Sequence, residues 1–245
     1  MNMSLTSKNK SWQSRPITQV LAVVVVYVPL IVFRLWTSLS ERIITLKELF
    51  LYPLILGGGA VVLILLLFRY VCGERLTNIQ IKPGKWYTDI AVGILLGLLS
   101  LGLKMLQGVI QSRILPSTSS PPSEEILTLF SGIANNPLLI AIWLGPVVWI
   151  GVATFEELAR VFMLNRLWKI WPGPVTVWFV ILLSAVLFGL VHIGQSPMNI
   201  FFVFIQGLLY AWYYRQYGRL WPLIIAHAIY DSLQVIQVVM VFSGS

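Results

Sequence analysis

Charged residues are scarce in this chain. Asp, Glu, Lys and Arg make up 11% of its 245 residues while hydrophobic residues make up 58%, whereas a soluble globule of this size carries a charged share nearer a quarter. That scarcity excludes a water-soluble domain. Cysteine is almost missing: Cys72 stands alone, so no intrachain disulfide and no thiolate metal site can form. It reads as a packing residue near a helix end, with acylation as the alternative. Histidine occurs twice, as His192 and His227. Internal repeats and low-complexity tracts are absent. The net charge of +8 comes from 17 basic residues scattered at the ends of apolar runs, which argues for membrane anchoring and against nucleic acid as a partner.

What is present is apolar sequence in lengths that cross a bilayer. A hydrocarbon core of about 30 Å takes roughly 20 helical residues, and such stretches recur at 17–33, 49–71, 90–109, 137–168, 175–192, 198–214 and 220–242. The expected fold is all-α: a polytopic membrane helix bundle of about seven transmembrane helices, within six to eight. Residues 1–16 read as a basic cytoplasmic tail, 17–136 as amino-terminal membrane helices with their loops, and 137–242 as the helical core that carries the chemistry. Residues 37–48 read as an interfacial amphipathic helix, and 124–133 as a short surface helix capped by Ser123. Gly57, Gly58 and Gly59 suit a close helix approach. Asp89 and Lys104 are expected to snorkel from the third span, and Arg166 to Lys169 to emerge into water. Basic residues in alternate linkers place the amino terminus in the cytoplasm, in an integral membrane protein of a bacterial-type plasma membrane.

Against this background, residues Glu156 and Glu157 interrupt a long apolar run. An acid at the centre of a membrane helix costs about 2.5–3.5 kcal/mol on an insertion scale. Arg160, four residues from Glu156 and three from Glu157, can reach at least one of them on a helix. Phe188 and His192, and His227 and Asp231, are each four apart, so each pair shares a helix face. At 1.5 Å per residue, His192 falls about 27 Å beyond Pro174 on a straight helix, deeper than Glu156 or His227. A lone membrane histidine more often satisfies an interhelical hydrogen bond than it catalyses, and Asn199 and Gln206 read as such interhelical glue. The joint occurrence of the acid pair and both histidines points to a site. Two chemistries fit. A glutamate can act as general base on water, with histidines serving the oxyanion or the leaving amine, or His192, His227 and Glu156 can hold zinc with a position open for water.

These residues resemble the CPBP family, the CAAX proteases and bacteriocin-processing enzymes, which include the type II CAAX prenyl endopeptidases. The family pattern runs Glu-Glu-x-x-x-Arg, Phe-x-x-x-His, then His-x-x-x-Asn or Asp, and residues 155–231 follow it in order. One spacing departs: Arg160 lies one residue closer to the acids than the pattern has it, which leaves its partner open. The resemblance implies an intramembrane endopeptidase of glutamate type, once classed as a metalloprotease, acting on peptide or membrane-protein substrates of membrane-associated or prenylated type. It implies Glu156 as the water-activating base, Glu157 as its assistant, and His192, His227, Asp231 and Arg160 as completing the site, with no metal cofactor. Zinc at His192, His227 and Glu156 is the alternative. A non-catalytic immunity, binding or scaffold protein is the competing class, and a proton or small-solute carrier is a third.

Overall fold

A computed structural model describes residues 15–39, 45–74, 84–114 and 124–242. Residues 1–14 of the expected basic tail, the centres of the linkers at 75–83 and 115–123, the cap Ser123 and residues 40–44 of the expected interfacial helix lie outside these residues. With no water in hydrocarbon to satisfy peptide groups, a spanning chain must hydrogen-bond to itself. Every element among the described residues is accordingly helical. This holds even for the β-branched run Val23 to Val26, which in water would favour a strand.

Eight helices follow one another. Helix α1 is Pro16–Leu39, α2 is Leu46–Val71, α3 is Trp86–Arg113 and α4 is Glu124–Ala134. Helix α5 is Pro137–Ile170, α6 is Pro174–Leu190, α7 is Pro197–Tyr217 and α8 is Trp221–Phe242. Five of them, α1, α2, α3, α5 and α8, are long and apolar enough to cross a membrane by length and composition, and α6 is a shorter apolar helix. This is a polytopic helical membrane bundle, as the sequence indicates. Helix α1 continues past residue 33 through Arg34 and Trp36 to Leu39, because no proline or glycine stops it there. Residues 46–48 begin α2 rather than end an interfacial helix. They do so because Thr45 and Glu48 form a capping box: the Thr45 side chain accepts from the Glu48 N–H, and the Glu48 carboxylate accepts from the Thr45 N–H.

Helix α5 is the axis of the bundle. Asn136 caps its start, accepting from the N–H groups of Leu138 and Leu139. The backbone kinks at Gly145, whose φ of −88° and ψ of −106° leave the helical region just before Pro146, as expected where a proline clashes with the preceding turn. A π-helical stretch, Trp143–Thr154, leads into Phe155. From there to Leu167 every residue except Glu156 is buried. The α1, α2, α6, α7 and α8 helices pack around it, and α3 against α8 is the most extensive pairing of the bundle.

Small residues allow the closest crossings. A Cβ on Gly57 would stand 2.0 Å from the carbonyl oxygen of Gly151, and one on Gly151 would stand 2.7 Å from that of Pro53. Only glycine at both positions lets α2 and α5 touch backbone to backbone. Gly58 and Gly59 have no neighbour within 4 Å of an added Cβ, so of the three glycines only the first serves this contact.

Several charges sit differently from the sequence expectation. Asp89 is buried and pairs with Arg219 instead of snorkelling, since the α3 start and the α7–α8 link lie side by side. Arg166 is buried rather than emergent. It donates to Glu74 through both terminal nitrogens at 2.9 and 2.8 Å and to Gln19 at 3.1 Å, with Phe68 and Phe162 against its guanidinium plane. Lys169 alone of that group is exposed, at 2.7 Å from Glu74. Burial pushes the Glu74 carboxyl up, but the hydrogen bonds and charges of Arg166 and Lys169 outweigh it and hold the carboxyl below its ordinary value. Cys72 is buried beside this cluster.

Candidate active site

The two acids of α5 occupy different environments although they are neighbours. On a helix, adjacent residues diverge by about 100°, so only one can face a given cavity. Glu156 lines a cavity of about 630 Å³. Glu157 is fully buried and turns into the protein, where Arg160 Nη1 donates to its Oε2. The partner of Arg160 is therefore Glu157, three residues away, and the shortened spacing is accommodated by an i,i+3 pair instead of an i,i+4 one. The guanidinium also lies 4.1 Å from the Phe188 ring centroid and 5.4 Å from that of Tyr210. Among the described residues, Arg160 Nε and Nη2 and Glu156 Oε2 make no hydrogen bond.

His227, on α8, ties the acids together. Its Nδ1 is 2.8 Å from Glu157 Oε1. A carboxylate that already accepts from a guanidinium can only accept, so the Nδ1–H is the donor. This fixes the ring and directs Nε2 toward Glu156 Oε2 at 3.7 Å and Asp231 Oδ2 at 3.5 Å. Asp231 is one helical turn beyond His227, as the four-residue spacing requires. Phe188 from α6 and Tyr210 from α7 close over the imidazole edge-on, with centroids 6.0 and 6.4 Å away.

His192 is not on a helix. Helix α6 ends at Leu190, and the histidine sits in the turn that leads through Gly194 to the Ser196 cap of α7. The depth of about 27 Å expected for it is that of this turn, on the far side of α6. The turn folds back over the cavity: His192 Nδ1 is 2.8 Å from the Phe188 carbonyl oxygen, and the two rings meet edge-on at 5.1 Å. The carbonyl can only accept, so Nδ1 carries the hydrogen, and in the neutral ring Nε2 keeps its lone pair. Gly194, at φ of +100°, permits the reversal.

Glu156, Phe188, His192, His227 and Asp231 thus line one cavity, while Glu157 and Arg160 lie behind its wall. Sequence reading passed over the amino-terminal contribution. Arg34 of α1, Tyr52 of α2 and Lys104 and Gln107 of α3 line the same cavity. Lys104 does not snorkel outward: its ammonium donates to Asn199 Oδ1 at 2.6 Å and Gln107 Oε1 at 3.3 Å. Asn199 joins α7 to α3 in this way, whereas the bond of Gln206 runs along α7 to Tyr210. The signal for Lys104 was present, since a lysine inside an apolar run is costly wherever it lies.

Among the described residues no three His, Cys, Asp or Glu side chains converge in a group that could hold a metal ion. His227 Nδ1 is occupied by Glu157, which leaves His192 Nε2, His227 Nε2 and Glu156 as the available donors. Chemically, the cavity can hold water against a carboxylate with two imidazoles in reach, under apolar and aromatic walls. Residues 137–233 match the family described as Rce1-like, type II CAAX prenyl endopeptidase Rce1-like. No curated protein and no solved structure matches the chain.

Proposed function

On the premise that residues 137–233 belong to this CAAX-protease family, a family of peptidases, we propose that the chain is a membrane-embedded endopeptidase that cleaves membrane-associated or prenylated-type substrates with a water activated by Glu156. The observation that carries this reading is the division of labour between neighbouring acids. Glu156 faces the cavity with an oxygen unspent, and Glu157 is committed to Arg160 and His227.

In this reading Glu156 takes a proton from water as the water oxygen attacks the peptide carbonyl, and returns it to the leaving amine. The proton count closes without a covalent intermediate. His192 Nε2, with its lone pair free, accepts the second water hydrogen and orients the nucleophile. His227, held by Glu157 and Asp231, offers Nε2–H to the developing oxyanion when protonated. Arg160 neutralises Glu157 and braces Phe188, and so acts through others. The catalytic unit is 137–242, with α1 to α3 supplying part of the cavity wall. The amino terminus lies on the cytoplasmic face, the side on which the α2 and α5 ends meet at Glu74 and Arg166.

No metal takes part in this scheme, and zinc at His192, His227 and Glu156 is the competing arrangement. The test is cleavage of a membrane-protein or lipidated peptide substrate by purified protein, with metal content measured on the active sample. Wild type is expected to cleave, with less than stoichiometric metal and no loss in chelator, and Glu156→Gln is expected to lose activity by about 10²-fold or more. Equal cleavage by both forms would reject the reading in favour of a non-catalytic binding or scaffold protein. Loss of activity in chelator with recovery on zinc would establish the metal scheme.

A further inference from the structure

The helix ends sort onto two faces of the bundle, and the cavity reaches one of them. At the first face the α1 start meets the α5 end through Gln19 and Arg166, the α2 end joins them at Glu74, and the α3 start meets the α7–α8 link through Asp89 and Arg219. At the second face the α2 start meets the first part of α5 through Phe50 and Trp143, with ring centroids 6.0 Å apart, and α4 meets the α8 end through Phe130 and Phe242 at 6.1 Å. The α3 end meets the α7 start there through Lys104 and Asn199. The cavity runs from Glu156 and His227 to this second face. Its described lining begins at Leu30 on α1, Lys104 on α3 and His227 on α8, and goes no further than Gly57 on α2, Glu156 on α5 and Gln206 on α7. In each of these helices the contributing part is the one toward the second face, where Arg34 and Gln195 are exposed at the rim. Toward the first face the bundle is closed. Leu158 to Leu167, about 15 Å of α5, are buried without exception, and Phe68 against Phe162 and Tyr214 against Trp168 fill the space around them.

Charge decides which face meets the cytoplasm. Exposed basic side chains at the first face are Arg15, Arg69, Lys85, Lys169 and Arg215, against Arg34, Lys47 and Arg113 at the second. In sequence, the segments that continue the first face add Lys8, Lys10, Arg75 and Lys82, against Arg42 for the second. Basic residues beside span ends are retained on the cytoplasmic side. We propose that the cavity opens away from the cytoplasm and that the site cleaves peptide segments presented from the extracytoplasmic side. This rests on the peptidase reading and narrows its substrate class to loops and tails that membrane-anchored proteins expose outside the cytoplasm, in place of chains anchored to the cytoplasmic leaflet. Water for Glu156 enters by the same mouth, because the packed half of α5 separates it from the cytoplasmic face.

The experiment reads the side from which single introduced cysteines react with a charged, membrane-impermeant thiosulfonate, in spheroplasts and in inside-out vesicles of the expressing cells. Val152→Cys reports the cavity one helical turn from Glu156, Gln195→Cys reports the rim, and Gln216→Cys, near the α7 end, reports the opposite face. Wild type, whose one cysteine is buried, is the blank, and Cys72→Ala is the second background. Val152→Cys and Gln195→Cys are expected to react in spheroplasts and to be protected in inside-out vesicles, and Gln216→Cys to do the reverse. A quenched fluorescent peptide with charged ends, which does not cross the bilayer, should be cleaved by spheroplasts, with loss of cleavage in Glu156→Gln, and not by inside-out vesicles. Reaction of Val152→Cys or Gln195→Cys from the cytoplasmic side, or of Gln216→Cys from outside, would overturn the assignment. So would an unreactive Val152→Cys in protein that melts as wild type does, or Glu156-dependent cleavage by inside-out vesicles. The expected labelling with no cleavage from either side would reject the peptidase reading and keep the outward opening.

Discussion

Replacing Arg160 by methionine tests the inner half of the site. The substitution keeps an unbranched apolar stem and deletes the guanidinium that pairs with Glu157 and stacks on Phe188 at 4.1 Å. Both partners of the pair are essentially unexposed, so solvent cannot move in to screen the carboxylate that remains. Removing one partner of a buried pair costs about 3–5 kcal/mol, because the other charge is left uncompensated. For a protein of this length 1 kcal/mol shifts the melting temperature by about 2–4 °C, so Arg160→Met is expected to lower it by about 6–20 °C. The assay is thermal unfolding of detergent-purified protein, followed by tryptophan emission. Arg160→Met combined with Glu157→Gln removes both charges and should melt above Arg160→Met alone, a coupling that only directly interacting residues show. A single variant melting within about 2 °C of wild type, or a double variant whose loss equals the sum of the two singles, would refute the reasoning.

Further outcomes follow from the packing and the bundle end. The Glu74 carboxyl, held below its ordinary value of 4.5 by Arg166 and Lys169 despite its burial, contributes stability that is fully present above about pH 4.5 and is lost as pH falls through the lower folded value. The melting temperature of wild type should therefore fall more steeply than that of Glu74→Gln on acidification below pH 4.5, and parallel curves would contradict this. Gly57→Ala, whose Cβ would meet the Gly151 carbonyl oxygen at 2.0 Å, should cost about 1–3 kcal/mol by forcing α2 and α5 apart. Gly58→Ala, with open space around it, should melt as wild type does or slightly higher, given the better helix propensity of alanine.

The sequence by itself determined the class of fold and singled out the polar groups that meet inside the bundle. A chain with so little charge and repeated apolar runs must satisfy its backbone internally in lipid, and only helices do this over segments of about 20 residues. Among the described residues a helix stands at each of the seven expected spans, five of them long and apolar enough to cross a membrane, and α4 stands at the expected short surface helix. The acid pair and the two histidines stood out because each is expensive where it lies. Helix ends were less legible: α1 runs on to Leu39, and α6 stops at Leu190, because local capping and glycine turns decide the last residues while periodicity describes only the interior.

Only the tertiary structure decided which polar group meets which. Spacing along one helix left Arg160 with two candidate acids, and it was the arrival of His227 from α8, 70 residues away, that distinguished a committed Glu157 from a free Glu156. The same holds for Asp89 with Arg219 and for Arg166 with Glu74, whose partners are 130 and 92 residues distant. Lys104 became part of the cavity only through Asn199, 95 residues on. A charge in a low-dielectric bundle needs a partner whatever its neighbours in sequence are. Sequence shows that need, and the packing of helices supplies the answer.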